Sequence, residues 1–222
     1  MKRQIFFITG TDTGVGKTVL ACLLVRHLRA QGFPVAAFKP VCSGGREDAA
    51  ALRAALGSAL ELDEINPWHF RAPVTPLLAA RAEKRKVRLA LVVTRARRLQ
   101  ARFPFLIVEG AGGLLSPLGE DFDSRDLITS LHALPVVVAP NRLGALNQVL
   151  LTLAALPPAA ARKAQVVLVA PQKPDAASRG NLKYLRERLG PLRVHGLPRL
   201  NLPKPDQHAD RRMKALAGAL GM

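Results

Sequence analysis

The segment Ile5 to Thr18, with the sequence IFFITGTDTGVGKT, constrains the fold more than any other part of the chain. A short apolar run ends at Gly10, a glycine-rich turn follows, and Lys17 and Thr18 open a stretch with helical spacing of apolar residues. In a phosphate-binding loop the backbone N–H groups and the helix N-terminus face phosphates, the lysine neutralises charge, and the threonine binds Mg²⁺. We therefore predict that the chain binds a nucleoside triphosphate with Mg²⁺.

The spacing of this loop departs from the usual pattern. Five residues separate Gly10 from Gly16, which is one more than the standard expression allows. The alternative interpretation is an incidental glycine-rich turn before a helix. Strand, loop and helix nevertheless fall where phosphate binding needs them, and this favours the phosphate loop.

Apolar runs of strand length alternate with helical patterns along the rest of the chain. This alternation predicts right-handed crossovers and an α/β fold with a doubly wound, mostly parallel sheet and helices on both faces, as in P-loop NTPases. A length of 222 residues without a long linker predicts a single domain over residues 1–222. The predicted strands are Ile5–Thr9, Val35–Phe38, Phe105–Val108, Pro135–Ala139, Val166–Val169 and Leu192–Val194, and the predicted helices are Lys17–Gln31, Ala49–Leu56, Arg125–Leu131, Gly144–Leu156, Asn181–Leu189 and Asp210–Leu220.

The formal charge of +17 suggests a nucleic-acid partner, because basic surfaces release counterions from phosphate backbones. The densest basic stretch is 81–102, and its apolar residues fit one buried helical stripe, so we interpret its charges as a solvated helix face. One Trp and one Tyr also leave few aromatic platforms for single strands. We expect no nucleic-acid partner. The apolar residues of the predicted stripe are Val87, Leu89, Leu91, Val92 and Leu99.

Neither a membrane segment nor a targeting segment is evident in the sequence. No apolar run reaches the roughly 18 residues that a spanning helix needs, and the N-terminus lacks a small-residue cleavage site. The two cysteines, Cys22 and Cys42, are too few and too far apart for a zinc cluster or a redox pair. We expect a cytoplasmic enzyme with no membrane partner.

Charged residues follow two further predicted strands. Lys39 begins KPVCSG and can act on developing negative charge, although a solvated lysine at a strand end would look the same. Glu109 ends an apolar strand and begins EGAGG, which is where P-loop enzymes hold Mg²⁺ or its water. Asp48 fits either a metal ligand or the N-cap of a helix, and the sequence leaves both interpretations open. No Ser-His-Asp set and no histidine metal spacing stand out.

Several motifs occur in a fixed order along most of the chain: GTDTGVGKT, KPVCSG, Asp48 ahead of an Ala/Leu-rich helix, PWHFRAPVTP, VEGAGG and PNRLGALNQ. In this combination the chain resembles the dethiobiotin synthetase family, and the five-residue loop spacing is similar to that family as well. The resemblance implies a homodimeric, Mg²⁺-dependent ligase of biotin synthesis. Such an enzyme joins CO₂ to 7,8-diaminononanoate, phosphorylates the carbamate from ATP, and closes the ureido ring with release of ADP and phosphate.

The resemblance also implies roles by position. Lys17 and Lys39 would act on phosphate and carbamate charge as catalytic residues, and Thr18, Asp48 and Glu109 would hold Mg²⁺. The substrate would contact Thr11, Ser43 and Lys39, together with the helix start Gly144, Ala145, Leu146 and Asn147 across the dimer interface. The nucleotide would contact Gly14, Val15, Gly16, Lys17, Thr18, Val19, Asp48, Glu109, Gly110, Ala111, Gly112, Pro171, Gln172, Pro198, Arg199 and Leu200.

One departure from the family concerns the nucleotide base. The family commonly has Asn-Asp after a late strand, whereas this chain has Pro171-Gln172, and proline offers neither an N–H nor a side-chain amide. Adenine preference is therefore an open question at the level of sequence.

Two other functions compete with the ligase. A partitioning-type P-loop ATPase would bind DNA through its basic surface, but such proteins usually carry an additional lysine early in the loop, which residues 11–15 lack. A related amidotransferase-type synthetase would need a glutaminase domain, for which this chain is too short.

Overall fold

A computed structural model describes residues 3–199 and 207–221 of the chain. Its centre is a six-stranded, wholly parallel sheet with the strand order β2-β5-β1-β6-β7-β8. Near-continuous apolar runs form these strands because both faces of the sheet are covered, as parallel sheets require. The strands are β1 (Gln4–Gly10), β2 (Val35–Phe38), β5 (Phe105–Glu109), β6 (Leu134–Pro140), β7 (Gln165–Val169) and β8 (Val194–Leu197).

Ten α-helices of the described residues flank this sheet and the connections between its strands. One continuous set of buried apolar side chains runs from Ile5 to Leu220. The predicted α/β fold is confirmed. The helices are α1 (Lys17–Ala30), α2 (Glu47–Ala55), α3 (Leu62–Ile65), α4 (Pro76–Ala82), α5 (Leu89–Arg102), α6 (Ser124–Leu131), α7 (Ala145–Ala155), α8 (Pro158–Lys163), α9 (Ala176–Leu189) and α10 (Gln207–Ala219).

A second, two-stranded parallel sheet lies beyond the end of β2. It pairs β3 (Val41–Ser43) with β4 (Trp68–Phe70), so that Cys42 is opposite His69. The sequence did not predict these strands, because runs of three residues are too short to show a period of two. This small sheet fixes the chain that follows Lys39.

Several predictions were wrong in detail. The helix predicted at 181–189 begins earlier, at Ala176, and the one predicted at 49–56 begins at Glu47. The basic stretch 81–102 is not one helix: α4 ends at Ala82, Lys84 adopts a left-handed conformation with φ 53°, and α5 begins at Leu89. Leu91 is 53% exposed and therefore does not belong to a buried stripe. The strand predicted at 192–194 begins only at Val194, since Pro191 opens a short 3-10 turn in which its fixed φ is favourable.

The basic residues of α5 are largely in solvent. Arg95 and Arg98 are exposed, and Arg102 pairs with Glu64 at 2.6 Å. In the part of the chain that the structure describes, no helix has both the length and the apolar character of a membrane span.

Candidate active site

Parallel strands place their carboxyl ends at one edge of the sheet, and there the phosphate loop, Lys39 and Glu109 meet. The loop begins at Gly10, where a Cβ atom would lie 2.7 Å from the Val15 side chain and 3.0 Å from the Asp12 carbonyl oxygen. Gly16 has φ 101° and directly precedes α1, a left-handed backbone that favours glycine. These constraints explain why glycine occupies both ends of the loop.

Lys39 is the centre of a buried polar cluster. It is 3% exposed, and its Nζ lies 2.5 Å from Glu109 Oε1 and 2.7 Å from Asp48 Oδ2. Thr18 Oγ1 donates to the same Glu109 oxygen at 2.8 Å. Four predicted site residues from α1, α2, β5 and the end of β2 therefore converge within hydrogen-bonding distance.

The charges of this cluster stabilise one another. Burial by itself lowers the pKa of Lys39, but the carboxylates of Glu109 and Asp48 outweigh it and raise that pKa above its usual range. Burial likewise raises the pKa of Asp48, and the ammonium group of Lys39 more than reverses this, so the pKa lies below its ordinary value. Lys39 is therefore held as a cation and Asp48 as an anion.

Lys17 behaves differently. Burial, and after it the positive charge of Lys39, lower its pKa from 10.5 to about 8. Its Nζ donates to the Asp12 carbonyl oxygen at 2.7 Å, and this bond holds the side chain across the loop. The described residues give Lys17 no carboxylate within salt-bridge distance, so its charge remains available to an anionic ligand.

The oxygen atoms at this edge suit Mg²⁺. Glu109 is 1% exposed, and its Oε2 has no hydrogen-bond partner among the described residues. Such an unpaired buried carboxylate oxygen is costly without a cation or water. Carboxylate and hydroxyl oxygens of Glu109, Asp48 and Thr18 are hard ligands of the type that Mg²⁺ prefers, and Mg²⁺ commonly keeps several waters besides few protein ligands. The donor set fits the metal.

The two interpretations of Asp48 can now be separated. The helix α2 begins at Glu47, and the N-cap is Arg46, so Asp48 lies inside the first turn and is not the cap. Its carboxylate is bound to Lys39 at 2.7 Å. The N-cap interpretation is wrong, because the helix starts at Glu47, two residues before the Ala49 that its apolar pattern indicates.

A cavity of about 690 Å³ opens over this cluster. It is bounded by the phosphate loop on one side and by the segments after β2 and β5 on the other. The predicted site residues that line it are Gly14, Gly16, Lys17, Thr18, Val19, Lys39, Ser43, Asp48, Glu109, Ala111 and Gly112.

A second cavity of about 390 Å³ shares part of the phosphate loop with the first. Of the predicted base-side residues, Pro171, Pro198 and Arg199 line it, while Gln172 is exposed. Leu200 lies outside the described residues. This second cavity also contains Asn141 and Arg142, which sequence reasoning did not select although they follow the end of β6.

Four of the predicted site residues or segments do not line the first cavity. Gly110 is buried behind Glu109, and Val15 lines only the second cavity. Thr11 is half-buried, and its Oγ1 has no partner in the described chain. The segment 144–147 forms the start of α7 and lines neither cavity within the described residues.

Two exposed leucines flank the start of α7, whose first residue, Ala145, is itself buried. Leu143, just before the helix, is 85% exposed, and Leu151 two turns later is 62% exposed.

Cys42 is 4% exposed at the cavity wall. Burial raises the pKa of its thiol to about 12, so the thiol is a poor nucleophile.

Comparisons with known proteins agree with this geometry. The model of a family described as an AAA domain matches residues 4–203. The ATP-dependent dethiobiotin synthetase BioD of Anaeromyxobacter dehalogenans (strain 2CP-C) is 49% identical over 154 residues, which cover 68% of this chain and 69% of that protein. The enzyme of the same name from Methanococcus vannielii is 38% identical over 148 residues, with 67% and 70% covered.

Two solved structures share the fold at low sequence identity. A chain described as a plasmid partition protein of Borrelia burgdorferi, bound to AMPPNP, gives a TM-score of 0.57 at 11% identity and covers 99% of this chain and 98% of its own. Hydrogenase maturation factor HypB of Archaeoglobus fulgidus gives 0.53 at 13% identity, with 98% and 90% covered. These likenesses show the fold alone, whereas the dethiobiotin synthetases match at 38% to 49% sequence identity over about two thirds of the chain. The chain belongs to the dethiobiotin synthetase family.

Proposed function

We propose that the chain is an ATP-dependent dethiobiotin synthetase, a ligase that converts 7,8-diaminononanoate, CO₂ and ATP into dethiobiotin, ADP and phosphate. The observation that carries the proposal is the convergence of Lys39, Glu109, Asp48 and Thr18 beside the phosphate loop. A carbamate and a triphosphate are both anions, so bringing them together requires fixed positive charge in a water-poor site. The family membership supplies the identity of the substrates.

In the proposed reaction, Lys17 binds the terminal phosphates and Lys39 lies between them and the carbamate. Lys39 is suited to this because its pKa is held high and its cation does not titrate near neutral pH. Thr18, Asp48 and Glu109 would hold Mg²⁺, which would neutralise charge on the transferred phosphoryl group. Glu109 also anchors Lys39 and Thr18 through one oxygen, so the same carboxylate aligns both side chains.

Ser43 is proposed to contact the substrate, since it lines the cavity at the end of β3. The main-chain groups of 110–112 would lie against the phosphates or the substrate. Pro171, Pro198 and Arg199 would bound the base.

We further propose that the enzyme is a homodimer in which the α7 start of one subunit completes the substrate site of the other. The support is the exposure of two large apolar side chains, Leu143 just before α7 and Leu151 within it, since exposed apolar surface favours a protein interface. The partial positive charge of a helix N-terminus also suits the substrate carboxylate.

We also propose that the chain is a single domain and that it acts in the cytoplasm. One continuous core supports the single domain, and two unpaired, buried cysteines support the location.

The direct test is turnover. Purified protein with diaminononanoate, bicarbonate, Mg²⁺ and ATP should yield dethiobiotin and ADP in equal amounts, detected by mass spectrometry. Absence of product with ATP, GTP and CTP alike would contradict the proposed function. Steep salt-dependent DNA binding without turnover would instead favour the partitioning-type ATPase.

The dimer has its own test. Lys39→Ala and Asn147→Ala subunits are each expected to be defective, but a heterodimer of the two contains one intact site if Asn147 acts across the interface. Random mixing should restore about a quarter of wild-type activity, because half the dimers are mixed and each has one good site. Mixtures that contain heterodimers by native mass spectrometry and yet regain no activity would contradict the shared site.

A further inference from the structure

The side-chain amide of Asn66 is fully buried beside the active site. It has no part in the functions assigned to the residues above. It follows α3 and precedes Pro67, and its exposed fraction is 0%. Its Nδ2 donates to the carbonyl oxygens of Lys39 at 2.8 Å and Trp68 at 3.1 Å, and its Oδ1 accepts from Arg46 Nε at 3.1 Å. Both donors and an acceptor of the amide are therefore in use where water cannot replace them.

The bond to Lys39 lies where the main sheet ends. β2 is an edge strand, so the main chain that follows Phe38 has no strand beside it on the outer side. The Lys39 N–H donates to the Ile65 carbonyl oxygen at 2.8 Å, and its carbonyl oxygen accepts from Asn66. Ile65 and Asn66 thus take the place of the missing strand at this one residue.

Arg46 connects the segment that contains Asn66 to α2, the helix that carries Asp48. Its Nη2 donates to the Asn66 carbonyl oxygen at 2.8 Å and to Asp63 Oδ1 at 2.7 Å. Arg46 is also the N-cap residue of α2, two residues before Asp48. Asn66 and Arg46 therefore join the main chain of Lys39 to the helix that carries its partner Asp48.

We propose that Asn66 is a positioning residue for the ligase reaction. It fixes the main chain of Lys39 directly and the start of α2 through Arg46, and so sets the place of Nζ at the reacting anions. Asn66 reaches the substrate only through Lys39. The proposal rests on the proposed function, because it assigns Asn66 to the placement of that catalytic ammonium group.

The test uses Asn66→Asp, which keeps the size and the acceptor oxygen but removes both N–H groups. We expect kcat to fall about 30- to 100-fold, as for misplacement of a reacting group, while the Kd of Mg-ADP changes less than about threefold. The matched control is Gln165→Ala, which removes a buried amide bonded to His195 at the opposite edge of the sheet. It should lose thermal stability but keep kcat within about twofold. A wild-type kcat in Asn66→Asp, or an equal loss in Gln165→Ala, would overturn the proposal.

A double-mutant cycle tests the route through Lys39. In a Lys39→Ala background, Asn66→Asp should cause no further loss of the single-turnover rate, whereas a further loss as large as in the wild-type background would overturn the proposal. If Asn66→Asp does not fold, Arg46→Lys is tested in its place. The Arg46 side chain is 23% exposed, and the substitution keeps the positive charge. An unchanged kcat in Arg46→Lys would then overturn it. Absence of turnover by the wild-type protein would instead reject the proposed function and this role together.

Discussion

The Lys39 end and the base end of the site differ in the polar contacts that their side chains make. At the Lys39 end, polar side chains of Thr18, Lys39, Asp48 and Glu109 contact one another within 2.8 Å, and Lys39 and Glu109 are buried. At the base end, Pro171 and Pro198 bound a cavity in which the amide of Asn141 is already committed: its Nδ2 donates to Ser178 and its Oδ1 accepts from Asn181. The chemistry is thus held by many mutually dependent polar contacts, while the described wall of the base cavity offers the exposed guanidinium groups of Arg142 and Arg199 but no uncommitted side-chain amide. We infer that selection of the phosphate end is strict and that of the base is loose.

The largest effect is expected from Lys39→Ala. Removing the ammonium group leaves Glu109 as a buried, uncompensated carboxylate beside the half-exposed Asp48, and it removes the positive charge proposed to lie between the two anionic reactants. We expect kcat to fall at least about 1,000-fold, while the Kd of Mg-ADP, measured by calorimetry, stays within about fivefold. Lys84→Ala, an exposed lysine between α4 and α5, is the control and should be unchanged. A Lys39→Ala enzyme with near-normal kcat would show that the role is misassigned.

Glu109→Gln is expected to have the next largest effect. The amide keeps the shape of the side chain but removes a ligand charge for Mg²⁺ and one of the two anions that hold Lys39. We expect kcat/KM to fall about 100-fold and the Mg²⁺ concentration for half-maximal activity to rise about tenfold. The control is Glu120→Gln, which weakens a surface pair with Arg81. An unchanged Mg²⁺ requirement would remove Glu109 from the metal site.

The pH dependence of nucleotide binding probes Lys17. Because burial lowers its pKa to about 8, the free protein carries the charged form below pH 8 and loses it as the pH rises through that value. Phosphates bind the charged form, so affinity for Mg-ADP should weaken with rising pH, by about fivefold to tenfold between pH 7 and pH 9. Calorimetry on wild type and Lys17→Met checks this. A wild-type profile as flat as that of Lys17→Met would contradict it.

Some of the residues at the Lys39 end could be predicted from the sequence, and others could not. Residues next to the ends of apolar strands, such as Lys39 and Glu109, were found because parallel strands end at one edge of the sheet. Asn66 was not found, because its bond to Lys39 spans 27 positions and joins an irregular segment to an edge strand. Its one local signal is the following Pro67, which disfavours helix at Asn66 and ends α3 there.

Other features that the sequence did not predict depend on local conformation. The break at Lys84 depends on a left-handed residue, which the helical period of 81–102 does not encode. The pairing of β3 with β4 depends on a register that three-residue runs cannot specify. Asn141 follows a correctly predicted strand, but nothing in its neighbours distinguishes a cavity residue from an ordinary loop amide.

The smallest effect concerns the base. Pro171 offers no N–H, Asn141 is committed elsewhere, and the cavity's arginines, Arg142 and Arg199, are exposed. A change of base therefore leaves no buried polar side chain of the described cavity wall unpaired. We therefore expect kcat/KM for ATP, GTP and CTP to agree within about tenfold. Pro171→Asn restores an amide at the cavity wall and should raise the preference for ATP over CTP about threefold or more, whereas Lys173→Asn, exposed two residues later, should not. A wild-type preference for ATP above about 100-fold would mean that the base end is as strictly specified as the Lys39 end.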